Sequence, residues 1–135
     1  MPTVHLVPEN SDDPIVRRVF ADIKATKKID FIPNFWRALA SHPEHLELCW
    51  TRAKAIMQDG KKINLLVKEI VALAVSITNS CRYCINSHTA AAMKLGLDEE
   101  GLNEVLAVVG LYNAFNKLAD AFQVEPDLLP PAAKQ

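Results

Sequence analysis

The segment Lys62-Ile63-Asn64-Leu65-Leu66-Val67-Lys68-Glu69-Ile70-Val71-Ala72-Leu73-Ala74-Val75-Ser76-Ile77-Thr78 decides the fold class. Its β-branched residues, Val67, Ile70, Val71, Val75 and Ile77, would also suit a buried strand. Length argues the other way: buried strands run for about 4–8 residues, and this apolar segment runs for 17 with Ala72 and Ala74 in its middle. It therefore reads as a helix over 62–78. A helix that is apolar nearly all round belongs at the centre of a fold. Asn64, Lys68 and Glu69 interrupt the run, which is too short and too charged to span a bilayer.

Glu69 is the informative residue in that helix, on one ridge with Leu65, Leu66 and Leu73. A carboxylate in such surroundings must be paired, or its proton affinity rises. One reading is a salt-bridged glutamate at a helix edge beside Lys68. The other is a buried general base facing the cysteines across a helix–helix contact.

The next stretch of chain is Ser80-Cys81-Arg82-Tyr83-Cys84-Ile85-Asn86-Ser87-His88. Ala90-Ala91-Ala92-Met93 beyond it predicts a helix over roughly 81–95, ended by Gly96. At 100° per residue, Cys81, Cys84 and His88 fall within about 60° of one another on it. Asn79 and Ser80 are good capping residues, which puts both thiols in the first turn. There the positive end of the helix favours a thiolate. The spacing admits three readings: a redox dithiol, two ligands of a metal site, or a structural pair. A structural zinc site needs a second ligand pair, and only Cys49, His5, His42 and His45 remain, with no second C-x-x-C. His88, one turn past Cys84, can hydrogen-bond that thiol or Glu69 and so complete a proton relay. Tyr83 is an auxiliary donor candidate.

The rest of the chain also reads as helical. Asp12-Asp13-Pro14 offers a cap and an N1 proline for an amphipathic helix over 14–26, carried by Ile15, Val16, Val19, Phe20 and Ile23. Phe31-Ile32-Pro33-Asn34-Phe35-Trp36 leads into a short helix over 34–41. Ser41-His42-Pro43 breaks it. Leu46, Cys49, Trp50, Ala53, Ile56 and Met57 form the stripe of a further helix from Pro43 to about 59, before Gly60. Cys49 and the tryptophans read as packing, and His42 and His45 as flanking a helix start. Asp98 caps a helix over 99–122, single or broken at Gly110. An extended arm (1–12) and a Pro-rich tail (125–135) flank one all-α domain over 1–135 of about six to seven helices. There is no internal repeat.

Fifteen basic against 16 acidic residues, net charge -1, give no reason to expect a nucleic-acid or anionic-membrane partner. No basic segment followed by an apolar run opens the chain, so no secretory signal is expected. Three cysteines, two in a C-x-x-C, suit a reducing compartment, and a cytoplasmic location is expected.

Glu69, eleven residues, Cys81, two residues, Cys84, three residues, His88 resembles the signature of the AhpD-like alkylhydroperoxidases, in the carboxymuconolactone decarboxylase superfamily. Phe31-Ile32-Pro33-Asn34-Phe35 through His42-Pro43, and Asn116-Lys117-Leu118-Ala119-Asp120-Ala121, are similar to its peroxidase-related branch. The resemblance covers about residues 30–125. It implies an AhpD-like helical bundle that assembles as a homo-oligomer (dimer, trimer or hexamer) and reduces hydroperoxides without a cofactor or metal. It further implies that Cys84 is the peroxidatic thiol, that Cys81 closes a redox disulfide with it, and that Glu69 and His88 relay the proton. A lipoyl or thioredoxin-like protein would restore the dithiol. AhpD has a histidine where this chain has Tyr83. Two alternatives stay open: lactone decarboxylation of the carboxymuconolactone type, by members that lack the cysteine pair, and a non-enzymatic metal-binding or interaction module.

Overall fold

The computed structural model describes residues 1–133 and contains six helices and no strand among them. These are α1 (Pro14–Lys27), α2 (Asn34–Leu39), α3 (Pro43–Ile56), α4 (Leu65–Thr78), α5 (Arg82–Lys94) and α6 (Glu99–Phe122). They fall into two compact units, Met1–Lys61 and Lys62–Gln135.

In the first unit α1 packs on α3, and α2 lies against α3. Asp13 caps α1 by accepting from the N–H groups of Ile15 and Val16, at 2.9 and 3.0 Å. The stripe read from the sequence is the buried face: Val16, Val19, Phe20 and Ile23. They meet Ile32, Trp36, Ala40, Leu46 and Trp50 in one apolar cluster. Trp36 and Trp50 pack edge to face with centroids 5.2 Å apart, the arrangement their ring quadrupoles favour. Cys49 is partly buried at the edge of this cluster. The arm forms no element, yet it is tied down: Val7 and Arg37 bond in both directions, and the Glu9 carboxylate accepts from the Ile32 N–H and from Lys24. α3 ends at Ile56, short of the expected 59, with Gly60 in the loop beyond it.

Buried indole N–H groups need an acceptor, and Trp50 Nε1 donates to Asp22 Oδ2 at 2.7 Å. Lys54 pairs with the same carboxylate. Lys54 and then the Trp50 N–H hold the Asp22 carboxyl below its ordinary range. A depressed carboxyl pKa contributes stability above the unfolded value, which is lost as the pH falls through the folded one. Asp22→Asn is therefore expected to cost about 1 kcal/mol at neutral pH, a modest figure because solvent screens this pair. Urea titration of the two proteins should show the gap closing in strong acid.

In the second unit α4 packs on both α5 and α6. Asn64 caps α4, accepting from the Val67 N–H at 2.9 Å, so the helix starts three residues later than its apolar run. The expectation that α4 is buried all round is not met. Glu69, Leu73 and Ser76 are buried, but Val67, Val71 and Val75 on the opposite side are exposed. Asp98 caps α6 as expected, accepting from the Gly101 N–H. Gly110 does not break that helix, which runs for 24 residues. No helix among the described residues is long and apolar enough to cross a membrane.

Candidate active site

The site is built by the way α4 stops and α5 starts. Ser80 takes the left-handed conformation (φ 57°), its N–H bonds to the Ile77 carbonyl, and the Cys81 N–H reaches back to the Ser76 carbonyl at 2.9 Å. This is a Schellman ending, with Ser80 where glycine is usual. It brings Cys81 directly to the start of α5, where Cys81 is itself the cap: its sulfur accepts from the Cys84 N–H at 3.4 Å. The expectation that Asn79 or Ser80 caps this helix is thus corrected. Asn79 is the C-cap of α4, and Ser80 is the reversal residue after it. Of the two cysteines expected in the first turn, Cys84 lies there and Cys81 lies just before it, at the cap.

Non-glycine residues in the left-handed region cost about 1 kcal/mol, and β-branched ones more. Ser80→Gly is accordingly expected to raise stability by about 0.5–1 kcal/mol, and Ser80→Val to lower it by about 1–2 kcal/mol. Thermal melts of the reduced protein check both.

Cys81 and Cys84 are joined as a disulfide, with their Cα atoms 5.3 Å apart. One turn further along α5, His88 Nδ1 lies 2.7 Å from Glu69 Oε2. Glu69 is only 6% exposed, and no buried side-chain nitrogen or oxygen among the described residues lacks a partner. Glu69 is thus buried rather than solvated at a helix edge, and its partner is His88, across the α4–α5 contact. With the carboxylate ionised, Nδ1 carries the hydrogen and donates it to Glu69. The tautomer that results leaves the Nε2 lone pair free to take a proton. The arrangement therefore combines an imidazole held by a buried carboxylate with a cysteine pair, joined as a disulfide, at a helix N-terminus.

Ser76 is a site neighbour that residue type alone does not announce. It is buried one turn and two turns along the ridge from Leu73 and Glu69, its hydroxyl donates to the Ala72 carbonyl at 2.6 Å, and its own carbonyl anchors Cys81. The seven-residue interval from Glu69 is the one signal of it in the sequence. Tyr83, at the second position of α5, is 43% exposed. Cys49 belongs to the first unit's packing. Among the described residues no group of three or more His, Cys, Asp or Glu side chains is placed to hold a metal ion.

The profile of the Carboxymuconolactone decarboxylase family matches residues 43–124. The crystal structure of an alkylhydroperoxidase AhpD core from Rhodospirillum rubrum superposes with a TM-score of 0.90 at 43% identity, covering 94% of this chain and 95% of that one. An uncharacterized protein of Cupriavidus necator is 38% identical over 55 residues, which are 41% of this chain and 48% of that protein. The matched stretch thus spans about half of that curated relative.

Proposed function

The chain belongs to the carboxymuconolactone decarboxylase family and has the AhpD-like all-α fold, and on that premise we propose that it is a cofactor-free thiol reductase of hydroperoxides and disulfides. One observation carries the reading: a buried glutamate bonded at 2.7 Å to a histidine that stands one turn beyond a cysteine pair, joined as a disulfide, at the start of a helix.

The Cys84 thiolate attacks one peroxide oxygen. An S–O bond forms, the O–O bond breaks, and the alkoxide leaves as an alcohol after taking a proton from the His88–Glu69 pair. Cys81 then attacks the sulfenic sulfur, expelling the oxygen as water and closing the disulfide. The balance is one hydroperoxide and two thiols to one alcohol, one water and one disulfide. A dithiol of a lipoyl or thioredoxin-like partner reopens the bridge by exchange, supplying the two electrons and leaving as a disulfide. Such a cycle belongs in a reducing compartment, the cytoplasm in this reading.

Incubation of the reduced protein with an alkyl hydroperoxide and dihydrolipoamide, beside a parallel incubation with a carboxylated lactone, separates the two family chemistries. Dithiol oxidation that tracks peroxide loss is expected. Carbon dioxide release from the lactone with no peroxide consumption would replace this reading with decarboxylation.

A further inference from the structure

The proposed cycle leaves one buried hydroxyl at the site without a role, that of Ser76. The buried residues of α4 are Glu69, Leu73 and Ser76, a single ridge at i, i+4 and i+7. Glu69, at one end of the ridge, bonds His88 of α5 at 2.7 Å. That bond and the tight reversal at Ser80 run α4 and α5 back along one another. Seven residues, about two helical turns, return each helix to the same face. Counted towards the reversal, that step leads from Glu69 to Ser76 and from His88 to Cys81. A backbone bond fixes the level, since the Cys81 N–H donates to the Ser76 carbonyl at 2.9 Å. The Ser76 hydroxyl, on a residue only 7% exposed, donates to the Ala72 carbonyl at 2.6 Å. Its lone pairs are left to accept. The Ala72 carbonyl also receives the helical N–H of Ser76, so it stays bonded when the hydroxyl turns away. Beside the oxidised pair the hydroxyl has no better partner, because a disulfide sulfur is a weak, neutral acceptor.

We infer that Ser76 is a positioning residue for Cys81, acting once the disulfide opens. The inference deepens the redox reading and rests on it for its part in turnover. In the reduced protein the Cys81 thiol donates to Ser76 Oγ while the hydroxyl remains on Ala72. When Cys81 ionises, the hydroxyl turns and donates to the thiolate, a charge-assisted bond stronger than the neutral one it replaces. Ser76 thereby favours ionised Cys81, the form that attacks the sulfenic acid at Cys84. The two sulfurs are then served at two levels of one contact, Cys84 by the His88–Glu69 pair and Cys81 by Ser76.

The rate of Cys81 alkylation by iodoacetamide is followed against pH in Cys84→Ser, with and without Ser76→Ala. The same comparison at Cys84, in Cys81→Ser, is the control. Alanine is smaller and the stronger helix former, and circular dichroism checks that the variants fold. The other charged or titratable groups around Cys81 are common to the proteins compared: Glu69 on α4, Arg82, Tyr83 and His88 on α5, and Lys117 and Asp120 beyond Asn113 on α6. Ser76→Ala should raise the Cys81 midpoint by about 1 pH unit, a loss of thiolate of about 10-fold, and leave the Cys84 midpoint in place. Ser76→Thr keeps a hydroxyl and should keep the Cys81 midpoint. With both cysteines present, Ser76→Ala should lengthen the life of the Cys84 sulfenic acid about 3-fold, read by trapping with dimedone. The factor is smaller because the more basic thiolate is about 3-fold more nucleophilic, which offsets part of the loss. A Cys81 midpoint unmoved by Ser76→Ala would overturn the inference. So would a Cys84 midpoint that moves with it, or a threonine variant shifted like the alanine one. The alkylation needs no peroxide, so a protein that shows these shifts and consumes no peroxide contradicts the redox reading and not the bond from Ser76 to Cys81.

Discussion

Cys84→Ser is expected to lower peroxide turnover by about 10³-fold or more, equivalent to about 4 kcal/mol of lost transition-state stabilisation. The reason is chemical. A hydroxyl is not appreciably ionised at neutral pH, and a weakly nucleophilic oxygen replaces a polarisable sulfur at the attacking position. The neighbouring substitution should behave differently. Cys81→Ser leaves Cys84 with its His88–Glu69 pair one turn away and removes only the group that closes the bridge. One equivalent of peroxide should then be consumed in a single turnover, with a sulfenic acid trapped at Cys84 and no second cycle. Peptide mapping is needed in both variants, because Cys49 is a third thiol, only partly buried. Equal losses in both variants with no trapped sulfenic acid would reverse or dissolve the proposed division of labour.

Glu69→Gln is expected to lower turnover by about 10²-fold, within the range that a positioned acid–base group supplies. An amide can still meet His88 Nδ1, but it has no charge to hold the imidazole in one tautomer or to stabilise it when protonated. Offering its NH₂ to Nδ1, it would instead select the tautomer in which Nε2 carries the hydrogen and cannot accept one. The rate of Cys84 alkylation against pH reads this directly. In wild type the midpoint should lie below about 8.5, the ordinary value for a free thiol, and in Glu69→Gln it should move back towards it. Ordinary midpoints in both proteins would remove the relay from the mechanism. Leucine at 69 is a less informative choice, since it leaves Nδ1 unpaired at a buried contact and confounds stability with chemistry.

Much of this site is legible in the sequence because it depends on local rules. Length and the two mid-segment alanines decide that 62–78 is helix rather than strand, although the observed helix starts at Leu65. A carboxylate amid Leu65, Leu66 and Leu73 marks Glu69 as a residue that is either paired at a helix edge or a buried base, and Asp13-Pro14 and Asp98 mark two helix starts. The cap of α5 departs from expectation for an instructive reason. Asn79 and Ser80 have the composition of an N-cap, but α4 needs a left-handed residue to terminate, and Ser80 fills that position. Lys28 and Gln123 do the same after α1 and α6, also without being glycine. Nothing in the residue type announces a positive φ there, so such endings are invisible until the backbone is traced. Hydrophobicity likewise indicates that α4 must be covered but not by what. Val67, Val71 and Val75 remain exposed, as do Leu111, Phe115 and Leu118 of α6. The 2.7 Å Glu69–His88 pairing needs the packing of α4 on α5, which no spacing rule determines.

The most direct test of the redox account is stoichiometric. Fully reduced protein is titrated anaerobically with an alkyl hydroperoxide, quenched by alkylation and resolved by peptide mass spectrometry. One Cys81–Cys84 disulfide should appear for each peroxide consumed, with Cys49 still alkylated at the end point. A pair that remains alkylated while peroxide persists, or oxidation that begins at Cys49, would contradict it.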